Sequence, residues 1–292
     1  MSPAATTSVG SVVITGASTG IGAACAFALD KLNFRVFAGV RKRADGEALQ
    51  AQASAKLTPI ELDVTHSHEI TAALKTVAGQ VGDAGLTGLV NNAGIGVVGP
   101  LEIVSLDELR RQFEVNVIGL IAVTQALLPL LRKARGRVVN MSSIAGRAAM
   151  PYMGPYAASK HALEALSDAL RLELQHTGVR VSVIQPGAIA TPIWHKTRKE
   201  VDGWESTWSD ESKALYLDGL NRVKHIAAKS EEGAAPTSLV ADAVIHALTS
   251  PNPKTRYLVG RDAKLRALII ALLPDSWQDR LLTRVLKLPK KQ

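Results

Sequence analysis

The chain has 292 residues, of which 47% are hydrophobic and 21% are charged. These proportions are typical of a globular protein and exclude disordered, collagen-like and low-complexity chains. The single cysteine, Cys25, excludes an intramolecular disulfide, and no Cys and His cluster has zinc-ligand spacing, so we expect no metal site.

The formal net charge is +8, and most of it lies at the end of the chain. Residues 260–292 carry eight Lys and Arg against three Asp, which gives +5 and leaves +3 for the preceding residues. Only 4% of the residues are aromatic, so the sequence offers no base-stacking platform. We therefore expect no nucleic-acid partner.

Two uncharged stretches could be mistaken for a leader or a membrane span. Residues 1–29 lack a basic start and contain several glycines, so we expect folded structure there and no secretory leader. Residues 115–131 are interrupted by polar residues and Pro129, which favours a buried core helix. We predict a cytoplasmic protein without a transmembrane segment.

Short apolar runs alternate with helix-length segments along most of the chain, and each run is continuous, as expected for strands covered on both faces. The pattern predicts a doubly wound parallel α/β sheet, a Rossmann fold, in one domain over residues 1–260. The seven predicted strands are Val12–Thr15, Arg35–Val40, Leu57–Leu62, Leu86–Asn91, Arg137–Met141, Val179–Ile184 and Arg256–Val259.

The first predicted strand runs directly into a glycine-rich turn, and a helix follows. Glycine permits a tight turn and a close approach of backbone to a pyrophosphate, while the helix N-terminus presents free N–H groups. A turn without a ligand is the alternative. The residues that we expect at a dinucleotide here are Gly16, Ser18, Thr19, Gly20, Ile21 and Gly22.

Further motifs follow in a fixed order. These are Asn91-Asn92-Ala93-Gly94 after the fourth strand, Asn116 in a helix, Ser143 after the fifth strand, Tyr156 and Lys160 opening the next helix, and Pro186-Gly187 with Thr191 after the sixth strand. Together with the glycine turn, this set resembles the short-chain dehydrogenase/reductase family over about residues 11–260.

The chemistry of the residues agrees with that resemblance. Tyr156 and Lys160 are four residues apart and share one helix face, so the ammonium should lower the pKa of the phenol and make it an acid/base. Ser143 lies where it could donate a hydrogen bond to a substrate carbonyl. The resemblance implies that Lys160 also holds the coenzyme ribose.

For Asn116 the resemblance implies a helix distortion that holds a water linking Lys160 to solvent, whereas a core-packing asparagine is the alternative. Catalytic residues are thus expected at Asn116, Ser143, Tyr156 and Lys160. Further coenzyme contacts implied by the resemblance are Val64, Asn92, Ala93, Gly94, Pro186, Gly187 and Thr191.

The end of the second strand bears on the choice of coenzyme. Relatives that use NAD carry an acid at the position of Val40, and relatives that use NADP often carry an arginine at the position of Arg41. We therefore expect NADP, with NAD as the alternative if Arg41 belongs only to a solvated turn. Asp63 matches the family residue that contacts the adenine amino group, although it could also cap a helix.

Two segments lie outside this core pattern. Residues 192–236, which we call the lid segment, form a polar stretch with Trp194, Trp204 and Trp208, and we predict that they cover a substrate. Residues 261–292, the tail, contain two basic, amphipathic helical segments too short to span a bilayer. They could bind a membrane interface, or pack over the substrate pocket or a partner subunit.

The sequence from Arg256 into the tail is similar to retinol and hydroxysteroid dehydrogenases. This similarity implies a hydrophobic secondary alcohol or ketone as the small-molecule substrate. We therefore predict an NADP-dependent alcohol dehydrogenase or carbonyl reductase, and a homo-oligomer paired through helices at 115–131 and 156–175. The alternatives are a soluble 3-ketoacyl reductase and a catalytically silent nucleotide-sensing protein.

Overall fold

The computed structural model describes residues 9–192 and 203–286. Within them, seven parallel strands form one sheet in the order β3-β2-β1-β4-β5-β6-β7. The strands are β1 (Ser11–Ile14), β2 (Arg35–Val40), β3 (Leu57–Glu61), β4 (Gly88–Asn91), β5 (Arg137–Met141), β6 (Arg180–Pro186) and β7 (Arg256–Val259). The predicted doubly wound parallel sheet is confirmed, and every predicted strand overlaps an observed one.

Helices cover both faces of this sheet, which explains why its strands are continuous apolar runs. On one face α1 and α8 contribute to the core, and on the other α3 and α5 do so, with α6 packed against β6. The helices are α1 (Gly20–Lys31), α2 (Arg43–Gln50), α3 (Ser67–Val81), α4 (Leu106–Phe113), α5 (Leu120–Ala134), α6 (Gly154–Glu173), α7 (Asp210–Glu232), α8 (Thr237–Thr249), α9 (Arg261–Leu272) and α10 (Asp275–Val285).

The strand order reverses at β1, which pairs with β2 on one side and with β4 on the other. In open parallel sheets the connections on the two sides of such a point leave the sheet in opposite directions, and a crevice opens at the carboxyl ends of the strands. The fold therefore places its ligand crevice beside the ends of β1 and β4.

Helices α4 and α5 are joined through a π-helical turn, Glu114–Gly119, into one continuous run from Leu106 to Ala134. By length and composition this run could cross a membrane, but half of its most apolar window is buried inside the fold. Val123, Leu127 and Leu131 pack in the core against the sheet. The run therefore serves as the buried core helix that its polar interruptions predict.

The lid segment lies partly outside the described residues, and Trp194 is among those not described. Of the described part, Trp204 and Trp208 meet edge to face with ring centroids 5.5 Å apart. Trp208 is only 5% exposed and packs with Leu220 of α7, beside Tyr152. These aromatic contacts attach the start of α7 to the loop that precedes α6.

The tail follows β7 as α9 and α10, and residues 287–292 lie outside the described range. Helix α9 buries only two small residues, Ala263 and Ala267, against Ile144 and Leu258. Three leucines of α9 and three large apolar side chains of α10 are exposed. These exposed residues are Leu265, Leu268, Leu272, Trp277, Leu281 and Val285. In α9 the apolar residues are thus spread around the helix, which differs from the amphipathic pattern predicted for it.

Candidate active site

The glycine-rich turn connects β1 to α1 and can be built only with glycines. Gly16 and Gly20 have φ angles of 63° and 59°, a region that disfavours other residues. A Cβ on Gly16 would lie 2.8 Å from Ala93 Cα, and one on Gly22 would lie 2.3 Å from the Gly16 carbonyl oxygen. The turn is therefore packed tightly against the chain that follows β4.

Hydrogen bonds lock these two segments together. The Thr15 hydroxyl oxygen accepts from the backbone N–H groups of Asn92 and Ala93, each at 3.0 Å. The Asn92 side-chain amide donates back to the carbonyl oxygens of Thr15 and Gly16 at 3.1 and 3.0 Å. Asn92 thus shapes the glycine turn from behind, and the Thr15 hydroxyl at the start of the turn holds the segment after β4.

A cavity of about 490 Å³ opens at the carboxyl ends of the strands, where the fold predicts a ligand crevice. All but two of the residues predicted for the site line it. Those that line it are Gly16, Ser18, Thr19, Gly20, Ile21, Arg41, Asp63, Val64, Asn92, Ala93, Gly94, Ser143, Tyr156, Lys160, Pro186, Gly187 and Thr191. Gly22 and Asn116 support the wall from behind it. Residues missed by sequence reasoning also line the cavity, among them Arg111 and Ile189.

Ser143, Tyr156 and Lys160 lie together at one part of this cavity. The Lys160 ammonium is 5.8 Å from the centre of the Tyr156 ring and donates a hydrogen bond of 2.8 Å to the Met141 carbonyl oxygen. Ser143 hydrogen bonds to the Tyr156 side chain and accepts from the Ala145 N–H at 3.1 Å. The end of β5 and the first turns of α6 thus bring the three side chains together.

The electrostatics of Tyr156 differ from the sequence prediction. Burial raises the pKa of its phenol above the usual value of 10.0, and the hydrogen bond with Ser143 opposes this only in part. For Lys160, burial lowers the pKa to about 8, while the Glu164 carboxylate opposes the shift. The prediction that Lys160 lowers the pKa of Tyr156 is wrong for this structure, because burial outweighs any attraction to the ammonium.

Asn116 lies in the π-helical turn between α4 and α5 and is almost fully buried. Its side-chain oxygen accepts from the Ile95 N–H at 2.9 Å, and its nitrogen donates to the Ile95 carbonyl oxygen at 3.0 Å and to the Ser159 hydroxyl at 3.1 Å. The structure therefore contains the helix distortion that the resemblance implies. It places Asn116 behind Gly94, whose Cβ would lie 3.8 Å from the Lys160 nitrogen.

Arg41 and Asp63 lie at the end of the cavity that is formed by β2 and β3. Arg41 is exposed and forms no ion pair with any residue in the described ranges. Burial alone would raise the pKa of Asp63, but hydrogen bonds from the Thr65 N–H and hydroxyl, at 2.9 and 2.7 Å, bring it below its usual value. Asp63 is therefore an ionised acceptor that lines the cavity, and the positive charge of Arg41 acts on it.

The start of the tail also shapes the site, through a residue that the sequence analysis did not assign to it. The Asp262 carboxylate at the beginning of α9 accepts from the Ala188 N–H at 2.7 Å. A Cβ on Gly187 would lie 2.1 Å from the same carboxylate, so only glycine leaves room for it. Asp262 thereby anchors the cavity-lining loop after β6. In the sequence, Gly187 of the Pro186-Gly187 pair is the sign that another group packs closely against this loop.

Three potential metal ligands meet at the start of α3, outside the sequence expectations. Atoms of His66, His68 and Glu69 lie within 4.8 Å of one another. The two oxygens of Glu69 already accept hydrogen bonds, from His66 at 2.8 Å and from the Asp63 N–H at 2.6 Å. The cluster thus braces the segment that carries Asp63.

The comparisons with known proteins agree with this geometry. The family model described as short chain dehydrogenase matches residues 10–202. Human 17-beta-hydroxysteroid dehydrogenase type 6 is 40% identical over 94% of this chain and 87% of its own length. Human retinol dehydrogenase 5 is 39% identical over 95% of this chain and 89% of its own length.

Solved structures give the same result. A short-chain dehydrogenase from Streptomyces avermitilis superposes with a TM-score of 0.76 and 27% identity, covering 94% of this chain and 96% of that one. A short-chain dehydrogenase from Burkholderia cenocepacia in complex with NADP gives a TM-score of 0.72 and 27% identity, covering 94% and 98%. The chain belongs to the short-chain dehydrogenase/reductase family and is an oxidoreductase that acts on CH–OH groups with a nicotinamide coenzyme.

Proposed function

We propose that this protein transfers a hydride between NADP(H) and a hydrophobic secondary alcohol or ketone. The observation that carries the proposal is that Ser143, Tyr156 and Lys160 line the same cavity as the glycine turn and Arg41. A proton donor, a hydrogen-bond donor for a carbonyl oxygen and a turn suited to bind a dinucleotide thus lie in one cavity.

The residues at the cavity fit the coenzyme. Gly16 and Gly20 of the glycine turn line the cavity, and the N-terminus of α1 carries no capping hydrogen bond from the Thr19 side chain. Free N–H groups there favour an anion. Asp63 offers an ionised acceptor for the adenine end. Arg41 supplies a cation for a 2′-phosphate, which is the feature that favours NADP over NAD.

The chain's own residues would handle the proton while the coenzyme supplies or accepts the hydride. In carbonyl reduction, the Ser143 hydroxyl donates a hydrogen bond to the substrate oxygen, and the Tyr156 hydroxyl gives that oxygen its proton. The raised pKa of Tyr156 keeps it protonated and suits this direction. Lys160 would hold the ribose hydroxyls of the coenzyme, and Asn116 fixes the backbone at Ile95 through two hydrogen bonds.

The relatives support a hydrophobic substrate, because hydroxysteroid and retinol dehydrogenases match nearly the whole chain. An assay of NADPH and NADH oxidation with steroid ketones, retinal, aliphatic ketones and a 3-ketoacyl thioester tests the proposal. We expect turnover of the bulky ketones with NADPH.

Two results of that assay would favour the alternatives. Turnover restricted to the acyl thioester would indicate a ketoacyl reductase. Coenzyme binding without turnover of any substrate would indicate a nucleotide-sensing protein, against which the complete set of Ser143, Tyr156 and Lys160 argues.

We also propose that the tail contacts an anionic membrane surface. Six exposed apolar side chains on α9 and α10 accompany the +5 charge of residues 260–292.

A homo-oligomer is proposed as well, since Leu166 and Leu172 of α6 and Ile118 before α5 are exposed. Analytical ultracentrifugation tests the oligomer, and a sedimentation constant of a monomer at assay concentration would contradict it.

A further inference from the structure

Helix α6 carries a line of polar side chains that starts at the active site and continues away from it. Tyr156, Lys160 and Glu164 occur at successive intervals of four residues and therefore share one helix face. Lys160 is 5% exposed and Glu164 is 8% exposed. A buried acid thus lies one helical turn beyond the active-site lysine, where the proposed mechanism gives it no role.

Glu164 is held in place by groups from two neighbouring strands. One oxygen accepts a hydrogen bond of 2.9 Å from the Gln185 amide of β6, and the other accepts one of 2.9 Å from Arg256 of β7. Arg256 also pairs with Asp168 of α6 at 2.7 Å. The Glu164 side chain thus has a hydrogen-bond donor on each of its two oxygens, and one of these donors is a cation.

Lys160 needs such an anion nearby. Burial disfavours its ammonium, and the one anion that acts on it among the described residues is Glu164. The other titratable group beside Lys160 is Tyr156, which is neutral at physiological pH. Its hydrogen-bond acceptor is the uncharged Met141 carbonyl. The charge of Lys160 therefore depends on Glu164.

The two site groups titrate as a pair. When this pair loses one proton, the result is either a phenolate beside an ammonium or a phenol beside an amine. Only the first form can accept a proton from an alcohol and hold the ribose with a charged donor. A carboxylate beyond Lys160 stabilises the first form, because Glu164 lies four residues from Lys160 and eight from Tyr156.

We propose that Glu164 is a positioning residue of the reaction, whose buried carboxylate helps Lys160 to keep its positive charge beside Tyr156. The inference rests on the proposed function, since it assumes that Tyr156 and Lys160 act on substrate and coenzyme. Gln185 and Arg256 hold the Glu164 carboxylate in place.

The variant Glu164→Gln tests this, because the amide keeps the size of the side chain and removes its charge. The dissociation constant of NADPH is measured by fluorescence between pH 6 and 10, beside the pH profile of kcat/KM for alcohol oxidation. We expect the alkaline loss of coenzyme affinity, which follows the loss of the Lys160 charge, to move about one to two pH units lower in the variant. Glu164→Asp keeps the carboxylate, so the pH midpoint of the loss of NADPH affinity should lie close to that of the wild type.

Asp168→Asn is the matched control, since it removes a carboxylate from the same arginine one helical turn further from Lys160. This variant should leave unchanged the pH midpoint at which NADPH affinity is lost. If the wild type and Glu164→Gln both bind NADPH and turn over substrate with the same midpoint, the role of Glu164 is overturned while the proposed function stands. A wild type that binds no nicotinamide coenzyme would overturn the proposed function and this inference with it.

A second variant keeps the inference testable if Glu164→Gln does not fold. Arg256→Gln removes the cation that neutralises Glu164 and should therefore move the midpoint to higher pH. A midpoint that stays in place or moves lower would contradict the role of Glu164.

Discussion

Tyr156 is the residue on which the proposed proton transfer depends. In Tyr156→Phe the ring remains and only the hydroxyl is lost, so the cavity keeps its shape while substrate protonation fails. We expect turnover to fall by at least ~100-fold, the usual contribution of a positioned acid or base. NADPH affinity should stay close to that of the wild type. Steady-state kinetics and a fluorescence titration measure the two quantities.

Ser159→Ala provides a control on α6, because Ser159 is buried in the same helix turn but hydrogen bonds to Asn116 and to the Tyr156 carbonyl oxygen. It should keep most of the turnover. If Tyr156→Phe retained a tenth of wild-type turnover, another group would have to carry the proton.

Arg41 decides the coenzyme in the proposed function. Its side chain is exposed at the cavity, so Arg41→Ala should leave stability unchanged. A charge-assisted contact with a phosphate is worth ~1.5–3 kcal/mol, so NADPH binding should weaken by about 10–150-fold. NADH, which has no 2′-phosphate, should bind as before. The ratio of the two dissociation constants is the measurement.

Lys42→Ala controls for a general loss of positive charge, because Lys42 is the exposed neighbour that does not line the cavity. It should weaken both coenzymes little and equally. The same loss of NADPH and NADH affinity in Arg41→Ala would mean that Arg41 does not contact the 2′-phosphate.

Sequence reasoning at this scale identifies residues better than it predicts their electrostatics. The spacing of Tyr156 and Lys160 places them correctly on one helix face. It does not predict that burial raises the pKa of Tyr156 and lowers that of Lys160. Burial depends on which segments cover a side chain in the folded protein, and neither Met141 nor Glu164 was part of the motif.

Among the secondary-structure elements, α9 links the tail to the active site. Its first turn carries Asp262, which accepts the Ala188 N–H at 2.7 Å and fills the space beside Gly187. In Asp262→Ala the loop after β6 loses this anchor. We expect a several-fold higher dissociation constant for NADPH, because the loop lines the cavity. The free energy of unfolding should fall by about 1 kcal/mol, the net contribution of one hydrogen bond.

The control for this prediction is Arg261→Ala, which changes the preceding exposed residue of the same turn. It should leave coenzyme affinity unchanged. An unchanged affinity in Asp262→Ala would show that the loop keeps its conformation without the carboxylate, and that α9 does not act on the site.

The elements themselves differ in how far the sequence predicts them. The strands could be predicted because each is a continuous apolar run, and the run is what burial on both faces requires. The π-helical turn at Glu114–Gly119 could not be derived from periodicity, since one extra residue in a turn leaves the apolar pattern nearly intact. The packing of α9 was missed because Ala263 and Ala267, its small residues, face the core while its leucines do not.

At the scale of the whole molecule, charge and exposed apolar surface occur together in the tail. The preceding 259 residues have a formal charge of only +3, and residues 260–292 carry +5. Leu265, Leu268 and Leu272 of α9 are more than half exposed, as are Trp277 and Val285 of α10. An exposed apolar group with cations around it matches the interface of a bilayer that contains anionic lipid.

Replacing Leu272 and Trp277 together by glutamate tests this match in the full-length protein. Both side chains are more than half exposed, so the fold should be unaffected. Wild-type protein should sediment with vesicles that contain phosphatidylserine, and added salt should release it by screening the basic residues. The double variant should remain in the supernatant, whereas Leu106→Glu, an equally exposed leucine on α4, should still sediment. Wild-type protein that stays in the supernatant at low salt would rule out the membrane contact and leave α9 and α10 to contact substrate or another subunit.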